Sequence, residues 1–252
     1  MTVPTYLPYL ILTGNALTLV AIIYGLNKAL ADAAWQAQDR VRVVFLSAAI
    51  LVGWLAISLA LAASGFYHVG ANAVPTIQYG LLLPILIGGV LIWRSDLVRR
   101  ILAAVPQPWI VGVQLYRALG VIFLILYASG RLPALFAWPA GVGDIAIGLS
   151  APFVGLAYAR APREATGRVR AWNVLGILDL VVAVTTGFLT APSLIAPIEV
   201  HPTSELMTML PMVMIPVYLV PLSIVLHIAS LVKLRRDEAR ASSGKSVAAA
   251  SH

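Results

Sequence analysis

The chain has 252 residues, of which 60% are hydrophobic and only 11% charged; an average soluble domain carries about 25% charged residues, so the expected solvent is a bilayer. Cysteine is absent, which excludes disulfides, thiolate metal sites, iron–sulfur clusters and cysteine nucleophiles. The net charge of +7 raises nucleic acid as a partner, but its placement along the chain argues for a membrane surface and no nucleic acid.

A spanning helix needs roughly 20 mainly apolar residues. Runs at 4–26, 41–65, 77–93, 109–129, 133–159, 169–190 and 207–232 meet or approach that length, and only short polar or Pro-rich connections separate them. The expected fold class is therefore all-α: one seven-helix transmembrane domain over 1–232, then a basic, disordered tail over 233–252.

The first run carries Asn15 and Thr18 on one face near its middle. Ala31-Asp32-Ala33 resembles a signal-peptide cleavage site, yet no Lys or Arg precedes the apolar stretch and Lys28 follows it, so a retained span is expected. The second run lines Ser47, Leu51, Trp54 and Ser58 along one face, and the short third ends on the interfacial pair Trp93-Arg94. The connection RSDLVRRILAAVPQP follows, which places Pro106-Gln107 in a loop.

The fourth run sets Gln114, Arg117, Gly120 and Tyr127 on roughly one face. In the fifth, Ala137, Gly141, Asp144, Gly148 and Ala151 recur at alternating spacings of four and three. This is a stripe of small residues with a carboxylate at its centre, and small stripes are where membrane helices approach closely. The sixth repeats the pattern with Trp172, Gly176, Asp179, Ala183 and Thr186, and holds Asn173 on its more basic side. The seventh carries Pro211, Pro216 and Pro221, each of which removes a backbone donor and favours a kink. Freed carbonyls at membrane depth need protein or a water-lined cavity beside them. Met207, Met209, Met212 and Met214 in that run read as apolar gap-fillers. His227 follows, one turn after Ser223.

Orientation comes from the basic residues. The first, third and fifth connections and the tail hold Lys28, Arg40, Arg42, Arg94, Arg99, Arg100, Arg160, Arg163, Arg168, Arg170, Lys233, Arg235, Arg236, Arg240 and Lys245, which is 15 of the 17 Lys and Arg. The positive-inside rule then predicts an outside N-terminus and a cytoplasmic C-terminus, in a plasma membrane or bacterial inner membrane.

Arg117, Asp144 and Asp179 lie near the middle of three different runs. A charge in hydrocarbon costs roughly 2.5–3.5 kcal/mol even on the lenient insertion scale, so each should face protein and find a partner. At about 1.5 Å per residue their depths agree within a few ångströms. One Arg against two carboxylates leaves a negative surplus that a proton or an external cation would balance.

No Lys occupies the core of any run, which removes a retinal Schiff base, and no metalloprotease, esterase, Walker or dinucleotide motif is present. Glu199, His201 and Glu205 in one connection and His68 in another match no metal spacing, so no metal site is expected and no cofactor is indicated. RALGVIFL from Arg117 and NVLGILDL from Asn173 form a weak internal repeat, which common membrane-helix residues explain. The expected partners are a lipid bilayer and a small molecule or ion. The sequence points to a small permease or proton-coupled carrier using Arg117, Asp144 and Asp179, with Gln114, Asn173, Asn15, Trp54 and His227 as further site candidates. A membrane enzyme acting on a lipid or quinone, or a sensor or assembly partner without turnover, are the alternatives.

Overall fold

The structure is a computed structural model describing residues 6–68, 74–193, 198 and 200–250. Among these residues every regular element is helical. Seven helical stretches are long and apolar enough to cross a bilayer, and the chain is a multi-pass integral membrane protein.

The first three spans are α1 (Tyr6–Asp32), α2 (Ala37–Ala63) and α3 (Ile77–Arg94). Next comes a helix absent from the sequence reading, α4 (Asp96–Ala104), capped by Ser95, whose Oγ accepts from Val98 N. At nine residues it is too short to span, but it is strongly two-faced. Leu97, Ile101 and Ala104 pack on Leu26, Leu30 and Val43, while Val98 and Leu102 join Ile92, Ile110 and Ala229. Its charged residues, Asp96, Arg99 and Arg100, are exposed. An amphipathic helix of this kind lies along the membrane surface.

The fourth span, Gln107–Ala128, is composite: α5 (Gln107–Gly112), a 3₁₀ stretch over Val113–Gly120, then α6 (Val121–Ala128). Three residues per turn stack positions i and i+3. Gln114, Arg117 and Gly120 therefore share one buried face. Tyr127, expected on that face, is exposed and meets Trp138 edge-on at 6.0 Å, because Ile122, Phe123 and Leu126 fill the interior at its level. Pro106 and Gln107 start this span rather than sitting in a loop, and Gln107 is buried.

The fifth and sixth spans are α7 (Ala134–Arg160) and α8 (Pro162–Leu189). Along α7 the whole small stripe, Ala137, Gly141, Asp144, Gly148 and Ala151, is buried as expected. A β-carbon on Gly148 would approach the Ala118 backbone too closely, so the stripe sets how near α7 comes to the 3₁₀ stretch.

The seventh run begins later than its hydropathy implies. Glu205–Thr208 form a 3₁₀ turn, residues 209–213 continue through a bend and turns, and the span starts at Ile215 with a π-helical Ile215–Leu219 that leads into α9 (Val220–Ala250). Pro211, Pro216 and Pro221 each lack an N–H, so an unbroken α-ladder cannot run through them. The methionines here behave as packing: Met207, Met212 and Met214 are buried, while Met209 is exposed. The helix also outlasts the apolar run. Leu234 closes a cluster with Val111, Ile147, Val169 and Trp172, and Arg170 donates to both Glu238 oxygens at 2.7 Å.

Candidate functional site

The 3₁₀ face, the α7 stripe and the α8 stripe converge on Arg117. The residue is 3% exposed, and every guanidinium nitrogen has a protein partner. Nε donates to Asp144 Oδ1 at 2.8 Å, and Nη2 lies 2.8 Å from the same oxygen. Nη2 also donates to Asp179 Oδ2. Nη1 donates to Gly176 O at 3.2 Å and meets His227 Nε2 at 3.1 Å. Arginine can only donate, so His227 Nε2 accepts, its proton sits on Nδ1, and Nδ1 donates to Asn173 Oδ1 at 2.9 Å.

From Asn173 the polar contacts continue away from the carboxylates. Asn173 Nδ2 donates to Ser230 Oγ at 2.8 Å, and Gln107 Nε2 lies 2.5 Å from the same oxygen. Beside this line, Gln114 Nε2 donates to Ser223 O at 3.1 Å, and Tyr116 OH pairs with Ser223 Oγ at 2.5 Å. The result is a buried polar seam among the fourth span, α8 and α9, running from mid-membrane toward the basic end.

Three glycines provide the room. A β-carbon on Gly120 would overlap Asp144, one on Gly143 would overlap Asp179, and one on Gly176 would overlap the His227 ring. Each buried charge or ring thus sits against bare backbone of the neighbouring helix. Trp172 covers the His227 ring at 5.1 Å between centroids, held by a 2.8 Å bond from its Nε1 to Ser150 Oγ.

A cavity of about 90 Å³ leads to this cluster from the opposite end of the bundle. Its walls are apolar: Phe123, Phe136, Leu180, Ala183, Val184, Phe188, Ile215 and Val220. Asp144 lies at its deep end, and Ser193, Ser204, Glu205 and Thr208 at its mouth. A second void of about 20 Å³ shares Asp144, Phe123 and Val220 and touches Arg117, Tyr116 and Ser223. The cavity expected beside the proline-rich span is present, with Ile215, Pro216 and Val220 as one wall. At the mouth, His68 Nδ1 lies 3.0 Å from Thr208 Oγ1, and its Nε2 lies 3.7 Å from Glu205 Oε1. Glu199 lies outside the described residues.

Arg117, Asp144, Asp179, Asn173 and His227 are therefore brought together, with Gln114 adjoining through Ser223. Asn15 and Trp54 are not. Asn15 Nδ2 turns back onto Ile11 O of its own helix at 2.8 Å, and α1 meets the 3₁₀ stretch where Gly14 faces Leu119 instead. Trp54 packs on Tyr218 in the π-turn of the last span, ring centroids 4.6 Å apart. The sequence reading overlooked Gln107, Tyr116, Ser230 and the cradling role of Gly143. A signal existed for part of this: Ser223, His227 and Ser230 stand at spacings of four and three, one helical face.

Nothing among curated proteins matches the chain, and no solved structure does. Residues 74–235 match the family model described as a domain of unknown function, DUF8737. That stretch holds the third to seventh spans and every member of the charged cluster and seam. Since the match takes in more than half of the chain, the protein belongs to the DUF8737 family.

Proposed function

We propose that this protein is a small permease of the cell membrane whose ligand enters the apolar cavity and docks on Asp144. The observation that carries the proposal is the cavity's deep end: a mostly apolar shaft terminates on a carboxylate belonging to a buried charge cluster. Such intramembrane charges are costly and by default functional. Arg117 is the counter-ion, since its nitrogens are engaged by Asp144, Asp179, Gly176 and His227. The two carboxylates outnumber it by one charge, so the complement is a proton or the cationic group of a compact, otherwise apolar ligand. The positive-inside rule puts the cavity mouth outside and the basic end in the cytoplasm.

Two features favour a carrier over a static receptor. The wall that includes Ile215 and Pro216 belongs to a π-turn that contains one proline and is followed by another, Pro221, a local break of the kind found at functional sites. The seam that closes the route beyond Asp144 is polar, and it leaves Gln107 Oε1 and Gln114 Oε1 without partners. Parting it therefore costs less than parting a fully satisfied network. The test is uptake by proteoliposomes of a panel of small lipophilic amines, with and without a pH gradient. Wild-type protein accumulates at least one of them, and Asp144→Asn loses that uptake while inserting and melting normally. Undiminished uptake by Asp144→Asn would falsify the docking role.

A further inference from the structure

The basic end of the bundle holds a second cavity, unrelated to the charged cluster. It is a cleft of about 460 Å³ between α4 and α9, lined by Arg99, Arg100, Lys233, Arg236, Arg240, Asp96 and Asp237, with Leu102 and Ala103 as its apolar part. Its volume lies within the ~300–1,000 Å³ usual for small-ligand sites.

The charges do not balance internally. Asp96 is taken by Arg99, and Asp237 by Lys233 at 3.2 Å. That leaves Arg100, Arg236 and Arg240 facing the cleft without a carboxylate among the described residues. Arg100 lies over the Trp35 ring at 4.8 Å. Arg236 Nη1 is buried and has no hydrogen-bond partner, an expensive state for a charged donor. Five cations against two carboxylates give the cleft a surplus of three positive charges.

Its depth identifies the source of the missing anion. The apolar face of α4 packs on the end of α1, the start of α2, the end of α3, the start of the fourth span and the Ala229 stretch of α9, so its polar face lies where the first four spans leave the hydrocarbon. Trp35 and the exposed Trp93 mark the same level, as aromatic residues do at bilayer interfaces. Basic pockets between spans at this height suit anionic headgroups.

We propose that the α4–α9 cleft binds the phosphate headgroup of an anionic phospholipid, with Arg236, Arg240 and Arg100 as its donors and Leu102 beneath the glycerol. The occupant is a lipid rather than a free anion because the cleft opens at the bilayer surface and carries apolar lining.

The test is native mass spectrometry of the full chain in mild detergent, titrated with phosphatidylglycerol or phosphatidylcholine. Wild type retains phosphatidylglycerol selectively. At about a fivefold effect per surface cation, R236Q/R240Q should weaken retention roughly 30-fold. R163Q/R168Q removes equal charge from the exposed start of α8 and should leave retention unchanged. D237N, which removes a negative charge from the cleft, should tighten it, and no folding defect mimics a gain. Equal retention of both lipids, equal loss in the two double variants, or displacement by millimolar inorganic phosphate each overturns the proposal. The readout involves no transport, so it fails or succeeds independently of the permease reading.

Discussion

Removing Arg117 tests the charge cluster most directly. Its side chain is 2% exposed, and those of its partners Asp144 and Asp179 are 11% and 14% exposed. Arg117→Met keeps much of the apolar stem but strands two carboxylates and His227 Nε2. Breaking a buried ion pair by deleting one member costs about 3–5 kcal/mol. At about 2–4 °C per kcal/mol for a chain of this size, the midpoint in detergent should fall by roughly 6–20 °C. The fully neutral combination, Arg117→Met with Asp144→Asn and Asp179→Asn, leaves no unpaired charge and should regain most of that loss. It will not regain all, because His227 Nε2 still lacks a donor, at about 1–3 kcal/mol. The assay is tryptophan fluorescence on heating, at constant detergent. The reasoning is refuted if Arg117→Met melts within about 2 °C of wild type, or if the triple variant is no more stable than the single. A triple variant that is stable yet takes up no ligand would separate the proposed docking role of the cluster from a role as a clasp.

Gly176→Ala should lower the midpoint measurably, since its β-carbon would meet His227 Cε1 and Nε2, while Gly53→Ala, with nothing within 4 Å, should not; a harmless Gly176→Ala would show that the His227 ring has room to move. The absence of cysteine makes single-cysteine labelling clean. Thr208→Cys at the cavity mouth should react with a membrane-impermeant maleimide from outside intact cells, and Ser230→Cys in the seam should not. Labelling of Thr208→Cys only after the membrane is opened would reverse the assigned orientation.

Much of the architecture was readable from composition because lipid leaves few options. A chain that must satisfy its backbone without water forms spans of nearly fixed length, and seven apolar runs became seven helices. The meeting of Arg117 with Asp144 and Asp179 was readable for the same reason, since a solitary charge at that depth is too costly. What escaped depends on finer geometry. Hydropathy does not register the change from 3.6 to three residues per turn over Val113–Gly120, so the alignment of Gln114 with Arg117 was sound while Tyr127 was misplaced. It also does not register that Met207, Met212, Val213 and Met214 are packed in the interior ahead of the span. Asn15 and Trp54 looked like members of the site because depth alone was known. Which neighbour each helix faces is decided by contacts such as Gly14 against Leu119.

The two halves of the molecule differ in how they could rearrange. Around Arg117 the side chains are seated on Gly120, Gly143 and Gly176, so sliding any one of these helices drives a charge or a ring into backbone. That part of the bundle is held in one arrangement. The wall formed by residues 205–219 is built differently, from a 3₁₀ turn, a run of turns and a π-turn, whose hydrogen bonds are fewer and less regular than an α-ladder's. Motion that opens or closes the cavity should therefore concentrate in this wall, with Pro216 and Pro221 as its pivot, while α7 and α8 stay fixed. Ser223, His227 and Ser230 continue directly from that pivot along α9 and hold the seam. A tilt that narrows the cavity would thus strain the polar contacts below Asp144, a linkage that the proposed carrier would need.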